Sequence, residues 1–334
     1  MEVYDKIEAV IYEEENNKIK EIEKEFSRKI IFHCAKNRND FIKKLFETTG
    51  SINFVKKFNI PENPKNEIEI FNKNNSEFII PEQREDIANF EKNYIRYCDI
   101  KGIFHIHSTY SDGTLSLEEI VKFLISKGYE YAGISDHSKS AYYANGLTED
   151  RIKAQIEEID RLNEKYAPFK IFKGIESDIL KDGSLDYKDN ILEKFDFVIA
   201  SIHSSFNLSK KDMTERIIRA IENPYTTILG HPTGRLLTVR EGYEIDIEKV
   251  LEALYENNKF VEINAQPFRL DLDWKTCIKA KSLGIKFFIC PDAHNIEDFD
   301  YVKYGINVAR KAGLKKEHIV NTYSSKEVEK ILSK

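Results

Sequence analysis

Seven short apolar segments recur along the chain, and each of them ends in polar residues. The segments are rich in Ile, Val and Phe, which is typical of parallel strands that are buried on both faces. They cover Gly102–His107, Tyr131–His137, Ile171–Glu176, Phe197–His203, Thr227–His231, Phe260–Asn264 and Phe287–His294. Six of the eight histidines lie at the ends of these segments. The pattern therefore predicts seven strands whose carboxyl ends carry the polar chemistry of the molecule.

Helical patterns occupy the intervals between these segments. Ser116 and Glu119 form a capping box that begins a helix through Lys127. Further helices are predicted at residues 148–165, 212–222, 246–257, 273–283 and 300–311. Because strands and helices alternate, the fold class is α/β, and we expect a seven-stranded (β/α) barrel. An open sheet is the alternative, since the closure of a barrel cannot be inferred from sequence.

Residues 1–98 differ from residues 99–334 and are predicted to form a small α+β extension. Within the extension, Ser27–Cys34 has the pattern of a strand and Asn39–Thr48 that of a helix. The segment 60–75 contains prolines and many asparagines, so we expect a loop or linker there.

Composition and charge narrow the class of protein. The chain has 334 residues and a net charge of −6, which argues against a uniformly basic nucleic-acid binder. Segment 17–60, however, carries eleven basic and five acidic side chains. This excess of positive charge indicates either a solvated helix face or a patch that binds a phosphate backbone. No apolar stretch approaches the roughly 20 residues of a membrane span, and the N-terminus lacks a signal-peptide core. The four cysteines are widely spaced, so we expect reduced thiols and a cytoplasmic protein.

The residues at the ends of the predicted strands include histidines, aspartates and a glutamate, which are residue types that commonly bind metal ions. His105 and His107 lie two positions apart in a predicted strand, so both imidazoles could reach one ion. Asp292 and His294 repeat this spacing after the last segment and add a hard oxygen ligand. One such pair alone is as often structural. Recurrence at seven strand ends favours a metal site, because buried ionisable groups cost several kcal/mol unless they are paired or metal-bound, and such ends share one face.

The ordered series of these residues resembles the PHP (polymerase and histidinol phosphatase) family over about residues 99–334. Nine positions match its metal ligands, namely His105, His107, Asp112, His137, Glu176, His203, His231, Asp292 and His294. Three segments around these ligands are similar in sequence to the C-terminal PHP domain of bacterial family X DNA polymerases, namely His107–Leu115, Leu229–Leu237 and Glu262–Asp271.

The resemblance implies a centre of three divalent metal ions, Mn²⁺ or Zn²⁺, with iron as a further alternative. It implies one ion on His105, His107, Glu176 and Asp292, a second on Glu176, His203 and His231, and a third on Asp112, His137 and His294. Arg235 and Arg269 follow the fifth and sixth strand ends and could act catalytically by holding a phosphate in bidentate fashion. A salt bridge at the barrel rim is the alternative for both arginines.

The resemblance also implies a metal-dependent phosphoesterase, acting as a 3′→5′ exonuclease on DNA 3′ ends. The alternative substrate is a phosphorylated small molecule, as in a phosphomonoesterase of the histidinol-phosphatase type. A non-catalytic binding module is less consistent with nine intact ligand positions. Fewer than 100 residues precede the PHP-like region, too few for the lyase region, fingers and palm of a family X polymerase. Residues 28–60 and 78–85 resemble the polymerase thumb, so we expect a truncated form without polymerase activity. A separate polymerase partner stays open.

Overall fold

The chain divides into two compact units, Met1–Lys92 and Asn93–Lys334. The computed structural model describes residues 6–13, 29–84, 93–237 and 239–333. Positions 17–28 of the basic segment lie outside the described residues. None of the four cysteines, all of them described, is in a disulfide. In the described part of the chain, no helix is both long and apolar enough to span a membrane.

The first unit contains a small parallel sheet and three helices among its described residues. Strands β1 (Lys6–Tyr12) and β2 (Lys29–Ala35) pair in parallel, and helices α1 (Arg38–Thr48), α2 (Ile52–Val55) and α3 (Glu67–Lys73) follow. The strand and the helix predicted within residues 27–48 are thereby confirmed.

The prediction of a loop throughout residues 60–75 is wrong, because α3 lies inside it. The side chain of Asn66 accepts a hydrogen bond from the backbone N–H of Glu69 and caps the helix. Ile70 and Phe71 are buried in the apolar core of this unit. The cap and the burial of two large side chains outweigh the polar composition on which the loop prediction depended.

The second unit is a nearly closed barrel of seven parallel strands among the residues described. In chain order and in space they are β3 (Gly102–Ile106), β4 (Tyr131–Ile134), β5 (Lys170–Asp178), β6 (Phe197–Ser201), β7 (Ile228–Leu229), β8 (Phe260–Asn264) and β9 (Phe287–Cys290). Past β9, Ala293 pairs in parallel with Ile106 and accepts a hydrogen bond from the His107 N–H at 2.9 Å. This contact joins the first and last strands, and the predicted barrel is confirmed.

Helices surround the barrel. They are α4 (Leu117–Ser126), α5 (Glu149–Lys165), α6 (Asp189–Leu192), α7 (Lys210–Glu222), α8 (Ile247–Glu256), α9 (Trp274–Ser282), α10 (Val302–Lys311) and α11 (Ser325–Leu332).

Side chains alternate between two apolar layers along each strand. In β6, Phe197 belongs to the cluster inside the barrel, whereas the next residue, Val198, packs in the outer layer with the helices. Inside, the ring of Phe104 lies 4.8 to 5.7 Å from the rings of Phe172, Phe197 and Phe288. Gly133 makes room for Phe104, since a Cβ there would lie 2.2 Å from the ring. This aromatic layer fills the lower barrel, so residues further along the strands meet above it.

Candidate metal centre

The nine side chains singled out by the sequence meet at the carboxyl end of the barrel, with Glu176 at their centre. Five imidazoles surround its carboxylate: Oε1 lies 3.3, 3.2 and 3.0 Å from Nε2 of His105, His203 and His231, and Oε2 lies 2.9 Å from His137 Nδ1 and 3.7 Å from His107 Nε2. Glu176 is 1% exposed. One buried carboxylate therefore lies within 3.7 Å of ring nitrogens from five histidines and could serve as a shared ligand if cations were bound.

The remaining three positions form the two flanks of the cluster. Oδ1 of Asp292 lies 3.5 Å from His105 Nε2 and 3.2 Å from His107 Nε2 on the buried flank. On the other flank, Oδ1 of Asp112 lies 3.4 Å from His294 Nε2. The side chains of Asp112 and His294 are each 32% exposed. The centre is thus open to solvent on the Asp112 side.

The donor atoms in the cluster fit bound cations. Three groups have atoms within 4.8 Å of one another: His105 with His107 and Asp292, His107 with Asp112, His137 and His294, and His137 with Glu176 and His203. Several of these atoms are buried without a hydrogen-bond partner, among them His105 Nε2, both ring nitrogens of His107, and Glu176 Oε2. Buried polar atoms are nearly always satisfied, so a metal ion is the partner that suits these imidazole and carboxylate atoms.

The backbone adopts unusual conformations to present these residues. His105 has φ of 60° and Asp292 has φ of 56°, in the left-handed region that non-glycine residues seldom occupy. The pairing register between β3 and β4 also shifts between Ile103 and Ile106. Such an irregularity re-aims side chains beside active sites. The prediction for His105 and His107 depended on side chains alternating regularly between the two faces of a strand. Regular alternation alone is therefore not what brings the two rings together.

A second set of polar residues holds the imidazoles from behind. Glu262 Oε1 lies 2.5 Å from His105 Nδ1, and its Oε2 accepts the His231 N–H at 2.6 Å. Asp178 holds His203 through Nδ1 in the same way. Sequence reasoning missed these partners, although Glu176 and Asp178 have the same two-residue spacing as the H-x-H pair. Outer partners of this kind fix the tautomer and orientation of a metal-binding histidine.

The loop that carries Asp112 is fixed by a buried aspartate, Asp136. Its carboxylate accepts hydrogen bonds from the backbone N–H groups of Ser108 and Ser111 at 2.8 and 3.0 Å. Burial raises the pKa of Asp136, while the hydrogen bonds from Ser111 and Ser108 oppose the shift. Asp136, like Glu262, was not among the predicted site residues.

The buried charges in the centre depend on one another. Burial disfavours the charged ring of His105, but the carboxylates of Glu262 and Asp292 outweigh it and raise its pKa well above the usual value. Burial, together with the rings of His294 and His137, lowers the pKa of His107 to about 3. His107 is therefore neutral near pH 7, the protonation state in which an imidazole binds a metal.

The two predicted arginines have different surroundings. Arg269 Nε lies 3.6 Å from Asp292 Oδ2, at the edge of the centre. Arg235 donates from Nε to the backbone oxygen of Arg269 at 2.8 Å and from Nη2 to that of Leu270. Arg269 is thus beside the cluster, and Arg235 holds the loop that carries it.

Comparison with known proteins gives matches over the barrel. The PHP domain matches residues 104–266. The DNA polymerase/3′-5′ exonuclease PolX of Bacillus subtilis is 46% identical over 235 residues, which cover 70% of this chain and 41% of that protein. The chain therefore spans less than half the length of that relative. A probable phosphatase of Thermoanaerobacter sp. is 34% identical over 220 residues, covering 59% of this chain and 87% of the phosphatase.

The fold of this chain also matches a solved structure. It is the histidinol phosphate phosphatase of Lactococcus lactis in complex with zinc, L-histidinol and phosphate, which superposes with a TM-score of 0.50 at 21% identity. The match covers 64% of this chain and 94% of that structure.

Proposed function

This chain belongs to the PHP family and is a metal-dependent phosphoesterase, and from that premise we propose that it acts as a 3′→5′ exonuclease on DNA ends. The observation that carries the proposal is the cluster around Glu176, combined with 46% identity to a relative named as a polymerase and 3′-5′ exonuclease. The first unit has 92 residues, so at least 143 of the 235 matched residues lie in the second unit, which contains the barrel. A hydrolytic centre fits the 3′-5′ exonuclease activity in that relative's name. We therefore do not extend the polymerase activity to this chain.

We propose that the nine clustered residues would hold three divalent ions, Mn²⁺ or Zn²⁺, with iron as an alternative. The first ion would be held by His105, His107, Glu176 and Asp292, the second by Glu176, His203 and His231, and the third by Asp112, His137 and His294. When bound, such ions lower the pKa of a coordinated water and neutralise phosphate oxygens. His137 of the third site lies 2.9 Å through Nδ1 from Glu176 of the second site. This contact supports the proposal that the second and third sites would adjoin each other.

The remaining residues would bind and orient. Arg269, at the edge of the centre, would donate to a phosphate oxygen of the substrate. Arg235 would keep Arg269 in place through the two backbone oxygens that it contacts. Glu262 and Asp178 would keep the Nε2 atoms of His105 and His203 directed at the ions. The exposed flank at Asp112 would admit the substrate.

A small-molecule phosphomonoesterase is the second candidate function. It is favoured by the Thermoanaerobacter phosphatase, because this chain covers 87% of that protein's length. The two functions differ in the ester that is cleaved: a diester within a strand, or a monoester that releases inorganic phosphate.

The discriminating experiment supplies both substrates to the manganese-loaded protein. We expect a 5′-labelled single-stranded oligonucleotide to shorten stepwise from its 3′ end, and a His105→Ala variant to leave it intact. We also expect no template-directed incorporation of nucleotides. Brisk hydrolysis of histidinol phosphate, with the oligonucleotide untouched, would replace the exonuclease proposal with the phosphatase.

A further inference from the structure

Two adjacent tyrosines are exposed at the rim of the candidate metal centre. Tyr142 and Tyr143 lie in the turn that follows His137, and they are 88% and 73% exposed. The ring centroid of Tyr143 is 6.2 Å from that of His137. Large aromatic side chains displayed to solvent beside a polar cleft are typical of a surface that binds something.

The turn that displays these tyrosines is firmly held. The backbone N–H of Ser140 donates to Asp186 at 2.6 Å, and that of Lys139 donates to the Tyr187 hydroxyl at 3.0 Å. At its other end, Gly146 N–H donates to the Ala141 oxygen at 3.1 Å. A Cβ at Gly146 would lie 1.9 Å from the Ser138 oxygen, so the two ends of the turn are in close contact. The aromatic rings are therefore displayed on a fixed support, which limits the entropy lost on binding.

Tyr143 also lies beside the charged groups of the centre. Its ring is next to that of His137, whose Nδ1 lies 2.9 Å from Glu176 Oε2 and whose Nε2 lies 3.7 Å from Asp112 Oδ2. Tyr143 therefore borders the space that a phosphate on the centre would occupy.

We propose that Tyr143 is a stacking platform for the base of the nucleotide at the DNA 3′ end. The inference rests on the proposed function and names the part of the substrate that this rim recognises. A planar base attached near the scissile phosphate could reach the exposed ring while the phosphate lies on the centre. Because every base has a π-face, such stacking is tolerant of sequence. Tyr143 would therefore favour a base over no base without selecting among the four.

The test compares two oligonucleotides that differ only in the last residue, a thymidine or an abasic tetrahydrofuran. We expect the wild-type protein to prefer the thymidine end by about tenfold to a hundredfold in kcat/KM, chiefly through KM. Tyr143→Ala should reduce this preference to near one, and Tyr143→Phe should retain it. Tyr142→Ala is the matched control from the same turn and should keep the wild-type preference. Metal content is measured for each variant and should not change.

Four results would overturn the inference. If Tyr143→Ala keeps the preference, or if the wild-type protein cleaves both ends equally, stacking is excluded and the exonuclease proposal stands. If Tyr143→Ala loses its metal ions, the residue is structural. If the wild-type protein cleaves neither oligonucleotide, the proposed function fails and the stacking role fails with it.

Discussion

At the scale of single residues, the candidate centre depends on groups that would touch no metal ion. Glu262 is the clearest of these, because it contacts the ring of His105, the backbone N–H of His231 and the amide of Asn264. It is fully buried. Losing its charge would loosen two of the proposed ligands at once.

We therefore predict that Glu262→Gln lowers metal affinity or turnover by about tenfold to a hundredfold, the usual cost of disturbing an outer partner of a ligand. Metal titration followed by calorimetry measures the first quantity, and phosphodiester hydrolysis the second. Glu256→Gln, an exposed change on α8, is the control and should match the wild-type protein. Unchanged affinity and turnover in Glu262→Gln would contradict the role given to this carboxylate.

Asp271 offers a test of electrostatics beside the centre. Burial raises its pKa to about 6, although Arg235 and the hydrogen bonds from Thr233 oppose the shift. A carboxyl group whose pKa is higher in the folded than in the unfolded protein stabilises the fold at low pH. That contribution is lost as the pH rises through the folded value.

We predict that the stability of the wild-type protein, relative to Asp271→Asn, falls by about 1 kcal/mol between pH 5 and pH 8. Urea unfolding of both proteins in EDTA measures this difference, with the fluorescence of Trp274, the chain's single tryptophan, as the signal. Titrations common to both proteins cancel in the subtraction. A difference that stays constant, or that grows in favour of the wild-type protein as the pH rises, would contradict the raised pKa.

At the scale of elements, the side chain of Asn321 connects β3 and β9, the first and last strands of the barrel, by hydrogen bonds to both. Asn321 accepts a hydrogen bond from the Ile289 N–H at 2.8 Å, and its amide donates to the oxygens of Gly102 and Ile289 at 3.0 Å each. The residue is fully buried. It supplies, from outside the sheet, the backbone pairing that β3 and β9 lack there.

We expect Asn321→Ala to lower the free energy of unfolding by about 2 to 4 kcal/mol, because it leaves several buried backbone groups unsatisfied. Urea titration of Trp274 fluorescence gives the value. The exposed change Asn190→Ala should cost less than about 0.5 kcal/mol. Equal losses in the two variants would show that Asn321 does not hold the barrel closed.

Most elements could be predicted because their ends are marked in the sequence. Helix α4 begins at the predicted capping box of Ser116 and Glu119, and α8 begins after the cap Asp246. Strand β7 is reduced to Ile228–Leu229, shorter than its apolar segment indicates. Helix α3 was missed because its stability comes from tertiary burial of Ile70 and Phe71, which local composition does not reveal.

The candidate site could be predicted as a set of residues but not as a geometry. Ionisable side chains at strand ends are visible in the sequence, so all nine clustered positions were found, and their role as ligands stays a prediction. The positive φ of His105 and the register shift beside it arise from pairing between strands, which sequence alone does not fix. Asp178 lies two positions after Glu176, and Glu262 lies two positions before Asn264. This is the spacing that marked the histidines, so both residues could have been found by it.

At the scale of the whole molecule, the barrel explains how residues distant in sequence could form one catalytic centre. His105 and His294 are 189 positions apart, yet both lie on the same face because every strand runs in the same direction. The aromatic layer around Phe104 fills the interior below them. The fold thus provides a packed aromatic layer below the centre, a buried carboxylate (Glu176) in the middle of it and one exposed flank.

The most direct test of the central claim is anomalous X-ray diffraction from crystals of the manganese-loaded protein. We predict three anomalous peaks around Glu176, each with histidine nitrogens or carboxylate oxygens of the nine residues at roughly 2.0 to 2.3 Å. We predict that the peak beside His105 and His107 disappears in His105→Ala crystals. Fully loaded crystals with no peak near Glu176, or with manganese bound only elsewhere, would contradict the account.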